Sequence, residues 1–143
     1  MTGKNRTDAL QPKRNRCTMM DKERMCVFMA GNQQREVQRV EQMAGGKGHV
    51  LIERLLSEKE LDGKCRMYAK VTLEPGCSIG YHEHHKESET YYILSGTGRY
   101  QDDDRFEEVA PGTVTFTGDG HGHGLANTGT ENLVFMALII LGD

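Results

Sequence analysis

From Arg66 to Leu73 the chain reads RMYAKVTL, with apolar residues at every second position. Met67, Ala69, Val71 and Leu73 share one parity; Arg66, Tyr68, Lys70 and Thr72 share the other. A period of two belongs to an extended strand with one buried face. Comparable short runs recur: EVQRVEQM (36–43), HVLIERLL (49–56), SIGYHEH (78–84), ETYYILS (89–95), GRYQ (98–101), RFEEV (105–109), TVTFT (113–117), GLAN (124–127) and NLVFMALII (132–140). Turn signals separate them: the cluster Gly45, Gly46 and Gly48, then EPG, Asp102 to Asp104, APG, GDG and TGT. Roughly ten short strands joined by tight turns predict an all-β sandwich or barrel.

Two runs depart from simple alternation. SEKELDGK (57–64) has Ser57 three residues before Glu60, the spacing of a capping box, and room for a single helical turn before Gly63. NLVFMALII is apolar on both faces, with Leu133, Phe135, Ala137 and Ile139 on one and Val134, Met136, Leu138 and Ile140 on the other. One face can fill a barrel. The other needs a second sheet or a second subunit over it, so a homodimer is expected.

Before Glu36 neither period is sustained. Residues 1–35 are polar, basic and Met-rich, and are expected to form a flexible N-terminal tail; residues 36–143 are expected to form one β-barrel domain. MDKERMCVFMAG (20–31) offers at most one amphipathic turn, and Met19 or Met20 are alternative starts. A length of 143 residues suits one domain. The net charge of −3 divides into +4 over residues 1–30 and −7 over the remainder. An acidic body repels polyanions, which argues against nucleic acid as a partner. No apolar run approaches the ~20 residues of a membrane helix, and no apolar signal stretch opens the chain. A cytoplasmic protein without membrane contact is expected. Cys17, Cys26, Cys65 and Cys77 show no CxxC spacing and read as free thiols that pack as small apolar side chains.

The chemistry-bearing stretch is GYHEHHKESETYYILSG (80–96), with three histidines and three glutamates in the eight residues from His82 to Glu89. In an extended strand His82 and His84 point the same way with Cα atoms about 6.6 Å apart, so their imidazoles can converge on one ion. Glu89 opens the next strand on the face of Tyr91 and Ile93, and a hairpin would return it to the His pair. In GDGHGHGLAN (118–127), His121, His123, Leu125 and Asn127 share parity, so either histidine could point inward, and the flanking glycines permit close backbone approach. Glu83, His85 and Glu87 read as solvated edge and turn residues.

These two segments resemble the motifs of the cupin family. The first runs Gly76, CSIGY, His82, Glu83, His84, HKES, Glu89, TYYILS, Gly96; the second runs Gly112, TVTFT, Gly118, Asp119, Gly120, HG, His123, GLA, Asn127, with Gly118 where the family usually has proline. The resemblance covers residues 36–140. It implies a cupin-type β-barrel, that is a double-stranded β-helix or jelly roll, with His82, His84, Glu89 and His123 as ligands of one divalent transition metal ion. Three imidazoles and a carboxylate suit Fe, Mn, Ni, Co or Zn and leave an octahedral ion two open positions. Family members with this ligand set include dioxygenases, isomerases and lyases, so a metal-dependent enzyme acting on a small oxygen-rich metabolite is expected; a non-catalytic ligand-binding or sensor protein is the alternative. A metal-bound carboxylate is a poor base, which leaves Tyr91 and His121 as catalytic candidates by strand parity. No cluster of Lys and Arg stands near the motifs, which speaks against a phosphorylated substrate.

Overall fold

The computed structural model describes residues 35–143. The expected tail up to residue 34, with Cys17, Cys26, Met19 and Met20, lies outside them. Among the described residues the ten alternating runs each form a strand: β1 (Val37–Glu41), β2 (His49–Arg54), β3 (Cys65–Leu73), β4 (Ser78–Glu83), β5 (Glu87–Ser95), β6 (Gly98–Asp102), β7 (Arg105–Val109), β8 (Val114–Thr117), β9 (Gly122–Asn127) and β10 (Leu133–Leu141). All pairings are antiparallel. One sheet has the order β1-β2-β3-β10-β5-β8, the other β4-β9-β6-β7. Their inner faces share one core, so the expected jelly-roll barrel is the fold.

Cross-strand register stacks the core in rows on the six-stranded sheet. Ile52, Val71, Phe135 and Ile93 form one row; Arg54, Ala69, Ala137, Tyr91 and Thr115 the next; Met67, Ile139, Glu89 and Thr117 the third. The alternation of β3 is therefore the alternation of burial: Met67, Ala69, Val71 and Leu73 are buried. In β10 Leu133, Phe135, Ala137 and Ile139 are buried too, whereas Val134, Met136 and Leu138 are half-buried and Ile140 is exposed. Tyr92, Leu94, Val114 and Phe116 are exposed on the same outer side.

Two departures from regular register shape the site. Between β4 and β9, Ile79 pairs with Leu125 but His82 with His123, so β4 carries one extra residue and its inward parity switches from odd to even at Gly80–Tyr81. This bulge lets Ile79 and His82 both face inward. Gly80 is required there because the turn after β1 packs on its backbone: a Cβ would lie 2.0 Å from the Ala44 carbonyl oxygen. Between β3 and β10, Met67 pairs with Ile139 and Cys65 with Ile140, which leaves Arg66 as the bulged residue, swung out of its strand parity. SEKELDGK supplies α1 (Glu58–Leu61), in which the Ser57 hydroxyl accepts from Glu60 N–H and the Glu60 carboxylate accepts from Ser57 N–H. No helix among the described residues is long and apolar enough to cross a membrane. Cys65 and Cys77 are free thiols, Cys77 buried.

Candidate metal centre

β4 and the residue beyond it supply His82 and His84, β5 supplies Glu89, and β9 supplies His123. One atom from each lies within 4.8 Å of the others. His123 Nε2 is 3.1 Å from both His84 Nε2 and His82 Nε2. Glu89 Oε2 is 2.9 Å from His123 Nε2 and from His84 Nε2, and 3.6 Å from His82 Nε2. His84, Glu89 and His123 are buried, and His82 is a quarter exposed at the open side.

The far nitrogens show which atoms face the centre with lone pairs. His82 Nδ1–H donates to the Gly80 carbonyl at 3.0 Å, and His84 Nδ1–H donates to the Glu87 carboxylate at 2.7 Å. His123 Nδ1 meets Tyr100 Oη at 2.9 Å, and that phenol meets Thr117 Oγ1 at 2.7 Å, so a proton on Nδ1 is accepted by Tyr100, which donates onward to Thr117. Each imidazole is thus held by its Nδ1 with Nε2 bare, the arrangement by which proteins orient metal-binding histidines. Three lone pairs and a carboxylate aimed at one another in a dry pocket repel unless a cation stands among them. A transition metal with bonds near 2.1 Å sets neighbouring ligand atoms about 3.0 Å apart, and the separations match at 2.9–3.1 Å except that of Glu89 from the more open His82, at 3.6 Å. The residues present fit the ion. With the proton on Nε2 instead, burial pushes the Glu89 carboxyl up but hydrogen bonds from His123, His82 and His84 carry it well below the carboxylate range, so Glu89 is a charged ligand in either tautomer. Burial lowers His123, whereas the Glu89 hydrogen bond raises His84.

A cavity of about 140 Å³ opens beside the cluster. Tyr91, Met67, Ala137 and Ile139 form its wall and Arg54 and Arg66 also line it.

Residues 69–139 match the family model for the cupin domain. A Thermotoga maritima protein named oxalate-binding protein is 42% identical over 104 residues, which cover 73% of this chain and 86% of that one. The chain belongs to the cupin family. A Thermotoga maritima crystal structure described as a predicted oxalate decarboxylase superposes with a TM-score of 0.74 at 41% identity, covering 76% of this chain and 94% of that one. A Klebsiella pneumoniae protein with a double-stranded β-helix domain superposes at 0.58 and 20% identity over 66% of this chain and 78% of its own, a likeness of fold alone.

Within this cupin the two motifs meet through backbone. His84 N–H donates to the His121 carbonyl at 2.9 Å and Gly120 N–H to the His84 carbonyl at 2.7 Å. Asp119 accepts from Lys86 N–H at 2.6 Å, so the turn around Gly118 is tied down without proline. Asn127, which ends the second motif, donates to the carbonyls of Leu73 and Glu131 and is a structural tie. Tyr91 is buried, stacks on His123 with ring centroids 4.8 Å apart, and donates to Glu89 Oε2 at 3.4 Å. Burial, then the Glu89 charge, raise its phenol far above the ordinary value, so it keeps its proton. His121 lies elsewhere: its imidazole is exposed and pairs with Asp103 at 2.7 Å, outside the cavity lining.

Glu87 is no solvated turn residue. It shares inward parity with Glu89 and Tyr91 in β5, bonds His84, and is clamped by Arg66 Nε at 2.7 Å and Nη2 at 2.6 Å. Parity alone, carried two residues back from Glu89, points to it. No cluster of Lys and Arg stands near the motifs in sequence, but in space two arginines, Arg54 of β2 and Arg66 of β3, line the cavity beside them.

Proposed function

We propose that this cupin holds one divalent transition metal at His82, His84, Glu89 and His123 and binds there a small oxygen-rich dianion, oxalate foremost. The convergence of three Nε2 atoms and a carboxylate oxygen beside a small arginine-lined cavity carries this reading. The name of the Thermotoga relative supplies oxalate as the first ligand to test. The bound metal would supply Lewis acidity and open positions for ligand oxygens. The chain's own residues do the rest: Glu89 reduces the charge of the centre, the apolar wall excludes water, and Glu87, Gly80 and Tyr100 hold the imidazoles in aim.

The test is calorimetric titration of oxalate into metal-free protein and into Fe, Mn, Ni, Co and Zn forms. About one metal per chain and oxalate binding only to loaded forms are expected, with both lost in His123→Ala. Oxalate binding to metal-free protein, or to no form, would overturn the proposal.

A second reading, a lyase splitting oxalate into carbon dioxide and formate, is favoured by Tyr91. The reaction consumes one proton per oxalate dianion, and Tyr91 is a protonated hydroxyl beside the ligands. Formate detected by NMR from the loaded protein, and its loss with retained metal in Tyr91→Phe, would establish it. Binding without formate leaves the ligand-binding reading alone. We further propose that two copies associate through the outer face of the six-stranded sheet.

A further inference from the structure

The inner face of the six-stranded sheet is apolar along β2 until its last residue. Val50 and Ile52 are buried, and Arg54 continues the same parity at the solvent-exposed end of the strand. Across the sheet, Arg54 stands in one row with Ala69, Ala137 and Tyr91. The flanking rows carry Ile52, Val71 and Phe135 on one side and Met67 and Ile139 on the other. Arg54, Ala137 and Tyr91 of that row line the cavity together with His82, His84 and Glu89 of the cluster. An inward-parity arginine ends the apolar inner side of β2, and a guanidinium beside such a wall gains most from an anion that fits its fork.

The two arginines of the cavity are not equivalent. Arg66 is clamped by Glu87 through two hydrogen bonds, so its charge is already matched. Lys70 on the outer face is likewise matched by Glu53. Among the described residues no carboxylate pairs with Arg54.

We propose that Arg54 is the specificity-determining residue of the cavity, selecting a small dianion over a monoanion by pairing with the charge that the metal centre leaves unbalanced. The proposal rests on the metal-and-dianion reading of the site. A divalent ion with the Glu89 carboxylate has net charge +1 and is neutralised by a monoanion. A dianion leaves −1, and in a largely apolar cavity an uncompensated charge is costly. The Arg54 guanidinium supplies the missing +1, with planar donors matched to carboxylate oxygens.

The experiment compares oxalate with glycolate, a chelating monoanion of similar size, by calorimetry on metal-loaded wild type, Arg54→Gln and Arg54→Lys, with metal content measured on each. In Arg54→Gln, metal content and glycolate affinity are expected to hold while oxalate affinity falls on the order of 10- to 100-fold, the range for a lost hydrogen-bonded charge partner. Arg54→Lys keeps the charge without the fork and should fall between. Raising the salt should weaken oxalate in wild type more than in Arg54→Gln. An unchanged oxalate-to-glycolate ratio in Arg54→Gln, with oxalate still binding, would overturn the role of Arg54 and leave the metal reading intact. A loaded wild type that binds neither ligand would overturn both. Should Arg54→Gln fail to fold, phenylglyoxal modification of wild type mapped by mass spectrometry decides: oxalate must protect Arg54 in the loaded form, and absence of protection sinks the proposal.

Discussion

His84 reaches the cluster through a chain of side chains, Arg66 to Glu87 to His84, in which each link is shorter than 2.8 Å. Both Arg66 and Glu87 are held in the charged state by this pairing: Glu87 is pulled down by the Arg66 hydrogen bonds and Arg66 raised by Glu87. Glu87→Gln keeps an acceptor for His84 but loses the charge that fixes it against Arg66. Metal affinity should fall about 10- to 100-fold, measured by competition with a chromophoric chelator, with the fold retained by circular dichroism. Affinity equal to wild type would show that His84 needs no such support. A backbone position should matter as much. Gly80→Ala puts a Cβ 2.0 Å from a backbone oxygen, so the turn or the β4 bulge must move, and with it His82. Metal should be lost, while Gly118→Ala, whose Cβ would meet nothing closer than the Phe116 ring at 3.4 Å, should keep it.

The strands were legible because strict alternation and turn residues are local signals, and the rows of the core follow from them once register is set. What sequence periodicity could not supply was the register itself. Parity counted along β4 puts Ile79 and His82 on opposite faces; only the bulge, forced by the turn pressing on Gly80, brings them together. The convergence of His82, His84, Glu89 and His123 was legible through two spaced motifs, and Glu87 follows from its parity with Glu89; the approach of Arg54 and Arg66 to the cavity was not legible, since it arises from pairing between strands. Parity also named His121, which the turn at Gly118–Gly120 carries to the surface before β9 begins. Helix α1 was legible from its capping box, and it offers a test at this scale. Ser57→Ala should cost about 1 kcal/mol, read from denaturant midpoints. The Ser57 backbone N–H, then its hydroxyl, hold the Glu60 carboxyl below its ordinary value. A depressed folded value means the contribution is present above the ordinary carboxylate range, near pH 4.3, and is lost as pH falls through the lower folded value. Metal-free wild type should therefore exceed Glu60→Gln in stability at pH 7, and the gap should close in acid. A gap independent of pH would mean that the cap contributes through shape and not charge.

At the scale of the molecule, the outer face of the six-stranded sheet gathers several exposed apolar side chains of the described residues. Phe116 is 67% exposed, Val114 63%, and Tyr92 and Ile140 46% each, beside half-buried Met136 and Leu138. Phe116 lies opposite Thr90 and Val114 opposite Tyr92 in register, so these side chains form adjoining rows. Aromatic side chains carry roughly 150–250 Å² each, so at these exposures Phe116 and Tyr92 together offer roughly 200 Å². Monomers rarely expose contiguous apolar patches beyond a few hundred Å², and a standard interface needs about 800 Å² per partner, an area this face approaches when its half-buried members are included. The occupant proposed above is a second copy of the chain: a two-fold axis would lay the same rows against each other. Light scattering at micromolar concentration should therefore give a dimer. Phe116→Glu should give a monomer, since it places a like charge opposite its own copy without touching the core. The metal should stay bound in that monomer, because Glu89, His123 and their partners lie on the inner faces. A wild type that is monomeric across this range, or a Phe116→Glu variant that stays dimeric, would overturn the assignment of this face.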